Sequence, residues 1–304
     1  MKMFAIFEQV FILILFCLAG YIFSKMGVLN PDHSKTLSGM LVYIILPCVS
    51  FNAFAVQFNR TYIAQNWPLI AVSMGLLVIM VLVGKLLGGC ITKEPYEKNV
   101  AEYSIAIPNI GYMGFPLAEG LYGLAGLLDA QMFCLPMRFY IETVGYNMLT
   151  AGTQPKPLWK KIFTPGMIGL LVGAVVGFFQ IPVPGVIAEA SQRAGSCMGP
   201  VSMLLTGMAI SQFPIKELLL NKKVYLISVL RIAVVPAMIG LILLGLRLNF
   251  AIKIAMVICA MPCGMNTIVF PKLLGQDCRM GAGTVMVSTA LSLITIPVLL
   301  SIFS

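Results

Sequence analysis

Charged residues are scarce in this sequence. Asp, Glu, Lys and Arg make up 10% of the 304 residues, whereas a soluble domain typically carries about 25%. Hydrophobic residues make up 59%, and the mean hydropathy is +0.96. This composition predicts an integral membrane protein. The sequence also lacks the alternation over about 10 residues that marks the strands of a transmembrane barrel, so we expect an all-α protein with spanning helices.

Residues that bind metals or perform catalysis are few as well. The sequence has one histidine, His33, in a predicted loop, and its eight cysteines include no CxxC pair. Metal sites and membrane enzymes need clustered His, Cys or Asp side chains. We therefore expect no metal, no cofactor and no enzymatic activity. The basic residues form no clustered surface, which argues against nucleic acid as a partner.

Long apolar runs fill the chain instead. Runs of about 17–25 residues have the length needed to cross the hydrocarbon core of a bilayer as helix. They predict ten spanning helices and no separate soluble domain. Glycines from Gly169 to Gly177 predict a close contact between two of these helices. The ten predicted helices are residues 4–24, 34–56, 67–91, 98–121, 127–151, 163–180, 184–211, 222–246, 250–273 and 279–303.

The lysines and arginines between the spans give the orientation. Most of the 20 lie on the side that contains the connection near Lys156. Cytoplasmic loops carry more Lys and Arg than outer loops do. We therefore expect a multi-pass protein of the cytoplasmic membrane, with the connection near Lys156 in the cytoplasm and both termini outside.

The spacing of prolines indicates an internal duplication. Three prolines each have a counterpart 153 to 155 residues further along the chain. The pairs are Pro47 and Pro200, Pro108 and Pro262, and Pro116 and Pro271. Since each half has an odd number of predicted spans, the second half must be inverted relative to the first, as in many secondary transporters. The sequence thus predicts two inverted five-helix repeats, residues 1–152 and 153–304.

Two of these prolines interrupt predicted spans, and each is followed by an asparagine. The stretches read IPNIGYMG (107–114) and MPCGMN (261–266). A proline in mid-span removes a helical hydrogen bond, and broken backbone at membrane depth is tolerated where it lines a cavity. Proline and glycine can also kink a spanning helix for purely structural reasons.

The helix that resumes after each break presents free N–H groups and a positive dipole end. Two such ends near the middle of the bilayer favour an anion such as a carboxylate. The predicted substrate-binding residues are Pro108, Asn109, Gly111, Gly114, Pro262, Asn266 and Thr267.

Charged residues inside predicted spans are the remaining candidates, because each costs ~2.5–3.5 kcal/mol or more at the bilayer centre. Arg138 and Glu142 are four residues apart and share one face of predicted helix 5. They are either a mutually neutralising pair that holds helix 5 in place, or a charge partner for an anionic substrate and a titratable coupling group. Arg231 in predicted helix 8 is equally ambiguous.

The two broken stretches and the tail VSTALSLITIP (287–297) resemble the auxin efflux carrier family. This family includes the plant PIN-type auxin transporters and bacterial malonate and malate carriers. The plant proteins have a long central cytoplasmic loop, whereas the corresponding residues 152–162 of this sequence form only a short hinge. The resemblance implies that helices 4 and 9 cross at their prolines. It implies that a transport domain of helices 3–5 and 8–10 moves as an elevator against a scaffold of helices 1, 2, 6 and 7. It also implies that Asn109 and Asn266 contact the substrate.

Together these features predict a secondary membrane transporter for a small organic anion, either a mono- or a dicarboxylate. Proton coupling, sodium coupling and the formation of a homodimer all stay open. The alternatives are a sodium-coupled bile-acid-like symporter and, from another class, a membrane receptor or sensor.

Overall fold

The protein is described here by a computed structural model that covers residues 3–30, 34–150, 162–272 and 274–303. Over these residues it is all-helical and contains no strand. The predicted loop residue His33, the connection near Lys156 and the predicted boundary between the repeats at residues 152 and 153 lie outside the described residues. The same holds for all of the predicted hinge except Ile162.

The helices follow one another with short connections, and several contain a π-helical turn. In chain order they are α1 (Met3–Lys25), α2 (Ser34–Gln57), α3 (Arg60–Ile91), α4 (Pro95–Ala106), α5 (Phe115–Phe133), α6 (135–149), α7 (Pro165–Phe178), α8 (Gly185–Ser211), α9 (Ile215–Leu220), α10 (Lys222–Gly245), α11 (Asn249–Cys259), α12 (Asn266–Lys272) and α13 (Arg279–Phe303).

Six of these helices are long and apolar enough to cross a membrane: α1, α2, α3, α8, α10 and α13. The chain is therefore a multi-pass membrane protein. Four predicted spans do not appear as single long helices, because breaks, turns or shortened ends divide or trim them. They are residues 98–121, 127–151, 163–180 and 250–273. The count of ten spans and the inverted repeat stay predictions.

Glycines bring α7 and α2 into close contact. A Cβ atom on Gly169 would lie 2.6 Å from the Cα of Pro47, and one on Gly173 would lie 2.7 Å from the carbonyl oxygen of Phe51. No side chain larger than hydrogen fits at either position without moving a backbone. The close helix contact predicted from the glycine run is confirmed.

The helices α1 and α8 approach each other in the same way. A Cβ atom on Gly20 in α1 would lie 2.9 Å from the Cα of Leu204, and one on Gly207 in α8 would lie 2.6 Å from the backbone nitrogen of Tyr21. In the membrane, where helices gain little from the hydrophobic effect when they associate, such close backbone packing stabilises a helix pair.

The two broken stretches lie side by side. Pro108 and Cys263 form an antiparallel bridge, and the backbone N–H of Asn109 donates to the carbonyl oxygen of Pro262 at 2.9 Å. The N–H of Cys263 donates to the hydroxyl of Ser288 at 3.0 Å. Backbone groups that the breaks release from helical pairing thus find partners inside the protein, as the apolar bilayer requires.

Arg231 of α10 joins the two broken stretches by hydrogen bonds. Its side chain is fully buried, and its guanidinium donates to the backbone carbonyls that end α4 and α11. The acceptors are the carbonyl oxygens of Ile105 (3.1 Å), Ala106 (3.3 Å), Met261 (3.1 Å) and Cys259. A helix C-terminus carries a partial charge of about −0.5, so one guanidinium offsets the negative ends of both helices.

The first prediction tests the close packing of α7 on α2. Gly169→Ala would push the two helices apart, and we expect a loss of about 1–3 kcal/mol in the free energy of unfolding. The measurement is thermal unfolding of the purified protein in detergent. Gly75→Ala in α3 is the matched control, because no atom lies within 4 Å of the Cβ it would add. An equal decrease in Tm for both variants would contradict the packing argument.

The second prediction tests the role of Arg231. Arg231→Met leaves four buried carbonyl oxygens without this donor, and each unsatisfied buried group costs roughly 1–3 kcal/mol. We expect a loss of at least about 3 kcal/mol in the free energy of unfolding, with Arg231→Lys in between. Arg193→Met is the control, because Arg193 forms only an exposed ion pair with Glu189, worth about 0.5 kcal/mol. A Tm for Arg231→Met equal to that of the control would show that Arg231 does not stabilise the crossing.

Candidate functional site

A cavity of about 600 Å³ opens beside the crossing of the broken stretches. This volume lies within the range of small-molecule sites, roughly 300–1,000 Å³. Apolar side chains of α2, α6 and α7 form much of the wall. The polar and charged residues of the lining are Ser38, Tyr43, Asn109, Tyr112, Arg138, Glu142, Tyr146, Thr164 and Asn266.

Asn109 reaches the cavity from the first break. The residue is 3% exposed, and its carbonyl accepts the N–H of Gly114 at 3.0 Å. Among the described residues, the side-chain amide of Asn109 has no hydrogen-bond partner. The π-helical turn Ile110–Gly114 begins directly after it. An amide and the N-terminal end of a helix therefore meet at the cavity wall.

The backbone next to Asn109 is also open to the cavity. Gly111 lines it, and a Cβ atom at this position would meet no atom within 4 Å. A ligand can therefore approach the main chain closely here, which a side chain would hinder.

Asn266 reaches the cavity from the second break, at the first residue of α12. Its side-chain nitrogen donates to the hydroxyl of Tyr103 at 3.0 Å, and Tyr103 is fully buried in α4. This bond fixes the amide of Asn266, whereas that of Asn109 is not held. The two amides therefore differ in how firmly the protein holds them.

Three of the predicted binding residues lie behind the cavity wall instead of lining it. Thr267 is fully buried and donates its hydroxyl to the carbonyl oxygen of Gly264 at 2.9 Å. A Cβ atom on Gly114 would lie 3.2 Å from the side chain of Ile258. Pro262 gives its carbonyl to the crossing. These residues shape the crossing, whereas Pro108, Asn109, Gly111 and Asn266 line the cavity.

Arg138 and Glu142 line the same cavity as the asparagines. Arg138 is 9% exposed, and its Nη1 has no hydrogen-bond partner. Among the described residues, Arg138 takes part in no ion pair. Glu142, one turn further along α6, acts on the charge of Arg138 without an ion pair in contact. The guanidinium borders the cavity, and both interpretations of the two residues stay predictions.

Sequence reasoning missed two contributors to this arrangement. Tyr103 positions Asn266 across 163 residues of chain, and the carbonyl acceptors of Arg231 lie up to 126 residues away. Neither pairing leaves a local pattern, so only an alignment of covarying positions could have indicated them. Among the described residues, no group of three His, Cys, Asp or Glu side chains is arranged to hold a metal ion.

Comparisons with known proteins agree with this description. A family model described as "Membrane transport protein" matches residues 5–155 and 149–300. An uncharacterized transporter of Methanocaldococcus jannaschii is 26% identical over 301 residues, which cover 95% of this chain and 96% of that protein. An uncharacterized transporter of Methanothermobacter thermautotrophicus is 22% identical over 305 residues, with the same shares covered. The chain therefore belongs to this membrane transport protein family, the auxin efflux carrier family that its two broken stretches and its tail resemble.

Proposed function

We propose that the protein is a secondary, elevator-type carrier that moves a small organic anion, a mono- or dicarboxylate, across the cytoplasmic membrane. The observation that carries this proposal is the cavity beside the crossing, where Asn109 and Asn266 lie at the starts of two helical segments. Amide donors and free N–H groups at helix N-termini bind carboxylates, and a site for a small solute needs few more polar groups.

The distribution of charge at the crossing supports an anion over a cation. The negative C-terminal ends of α4 and α11 accept hydrogen bonds from Arg231, which does not line the cavity. The positive N-terminal ends that follow the breaks lie on the cavity side. The guanidinium of Arg138 contributes a further positive charge to the cavity wall. Glu142 is the one carboxylate among the described lining residues.

Ten spans in two inverted repeats, with both termini outside, are part of the proposal. Gly20 and Gly173 are 153 residues apart, as are Pro47 and Pro200. Gly20 packs α1 against α8, and Gly173 packs α7 against α2. The two helix pairs therefore use glycines at equivalent positions of the proposed repeats, which supports a scaffold of predicted helices 1, 2, 6 and 7.

The membrane potential determines the direction in which such a carrier moves an anion when transport is not coupled to an ion. An inside-negative potential of 100 mV favours the exit of each unit negative charge by ~2.3 kcal/mol. An uncoupled carrier would thus export the anion, whereas uptake would need protons or sodium. Sodium dependence of uptake in proteoliposomes would favour the bile-acid-like symporter instead, and ligand binding without counterflow would favour a receptor or sensor.

The third prediction concerns the asparagines. Asn109→Ala and Asn266→Ala should each weaken carboxylate binding by about tenfold or more, because a hydrogen bond to a charged group contributes ~1.5–3 kcal/mol. Transport should decrease in parallel. The unliganded Tm should stay near that of the wild type for Asn109→Ala and decrease for Asn266→Ala, because the buried hydroxyl of Tyr103 loses this partner. The measurements are ligand-induced stabilisation and anion counterflow in proteoliposomes. Asn66→Ala, outside the cavity, is the control, and unchanged counterflow in both cavity variants would remove the proposed site.

The fourth prediction concerns the elevator movement. The ammonium of Lys272, at the end of α12, donates to the side-chain oxygen of Gln212, which follows α8, at 2.6 Å. This contact joins the proposed moving and fixed parts. In the double variant Gln212→Cys and Lys272→Cys, a reducible thiol cross-linker should stop counterflow, and a reductant should restore it.

Each single-cysteine variant serves as a control in that experiment, since Cys90 and Cys197 are exposed in the native chain. Counterflow that continues at the wild-type rate in the fully cross-linked double variant would contradict the elevator movement.

A further inference from the structure

We propose that the cavity contains a second anion subsite, formed by Arg138 and the N-terminus of α7, which binds a second carboxylate of the transported solute. This inference rests on the proposed function, because it assumes that a first carboxylate binds at the crossing. It adds that the preferred solute is a dianion, held at two places in one cavity.

The guanidinium of Arg138 supplies the first argument. A buried charge is costly unless it is paired and hydrogen-bonded. Arg138 is 9% exposed and, among the described residues, has neither an ion pair nor a partner for Nη1. Arg231, the other buried arginine, donates to four carbonyl oxygens. Glu142 lines the same cavity and acts on the charge of Arg138 without forming an ion pair in contact with it. The contrast in direct partners indicates that the free donors of Arg138 serve a ligand.

The first turn of α7 supplies the second argument. The helix has 14 residues, Thr164 is its N-cap and Pro165 its first residue. A Cβ atom on Gly166 would lie 2.8 Å from Nη2 of Arg138, so the guanidinium lies against this turn. A positive helix end beside a cation is unfavourable, whereas an anion between them would be attracted to both.

The position of this pair supplies the third argument. Arg138 and residues 162–168 line the same cavity of about 600 Å³ as Asn109 and Asn266. A small dicarboxylate can therefore place one carboxylate at the crossing and the other at Arg138. Apolar side chains of the lining, among them Leu41, Leu46 and Met167, suit the methylene groups that join the two carboxylates.

The experiment compares linear dicarboxylates of three to six carbons with their monoamides. A monoamide keeps the length and shape of the diacid but has one charge fewer. We expect the purified wild type to bind the best dicarboxylate at least about tenfold more tightly than its monoamide, a factor that corresponds to ~1.4 kcal/mol. Binding is measured by titration calorimetry and by ligand-induced shifts of Tm.

Arg138→Gln should remove this preference, so that diacid and monoamide bind equally, with the affinity of the monoamide for the wild type. Arg138→Lys keeps the charge and should keep part of the preference. The comparison in the wild type needs no variant to fold. A preference below about twofold there would overturn the subsite even if Arg138→Gln does not yield folded protein.

Further outcomes separate this inference from the proposed function. If Asn109→Ala and Asn266→Ala abolish binding while Arg138→Gln keeps the full preference, the subsite is refuted and the carrier proposal stands. If the asparagine variants bind and transport as the wild type does, the proposed function itself fails. If sulfate alone stabilises the wild type but not Arg138→Gln, and diacid and monoamide bind equally, Arg138 holds a free inorganic anion and the subsite is refuted.

Discussion

The hydrogen bonds that close the crossing of the two broken stretches are the constraint on which the rest of the structure depends. A broken helix inside a bilayer leaves polar backbone groups that lipid cannot satisfy. Here the backbone bond from Asn109 to Pro262 and the guanidinium of Arg231 satisfy several of these groups from both halves of the chain. Without them, the N-terminal ends that face the cavity could not be held at membrane depth, and the cavity would lose its polar wall.

The two buried arginines show how the same side chain serves different purposes. Arg231 uses its donors on carbonyl oxygens within the protein, so its charge offsets fixed helix ends and is not available to a solute. Arg138 borders the cavity and, within the described chain, lacks such partners. Composition and spacing left both residues open to a structural and a functional interpretation. Their surroundings differ because the acceptors of Arg231 come from the ends of two other helices, which no local sequence pattern reveals.

The sequence predicted the features that depend on local chemistry. Pro108 and Pro262 interrupt helices because proline removes a donor, and the glycines of α7 pack closely because they have no side chain. The sequence predicted less well which residues of the broken stretches line the cavity, because this depends on the direction of side chains in the folded protein. Thr267 directly follows Asn266 but turns its hydroxyl to the carbonyl oxygen of Gly264, since a one-residue change of position on a helix turns a side chain by about 100°. Gly114, which has no side chain, packs against Ile258 and does not line the cavity. The break in helical geometry at Gly123, whose φ is +67°, falls in the connection predicted between residues 121 and 127.

The position of the proposed second subsite has a consequence for movement across the membrane. Arg138 lies on α6, in the proposed moving part, whereas the N-terminus of α7 belongs to the proposed scaffold. A carboxylate bound between them joins the two parts, so the carrier must release the contact with α7 before it moves. Arg138 would travel with the solute, and so would Glu142 on the same helix. Since the potential acts on the total charge that moves, a dianion would cross with the electrical cost of a monoanion only when Glu142 has taken up a proton.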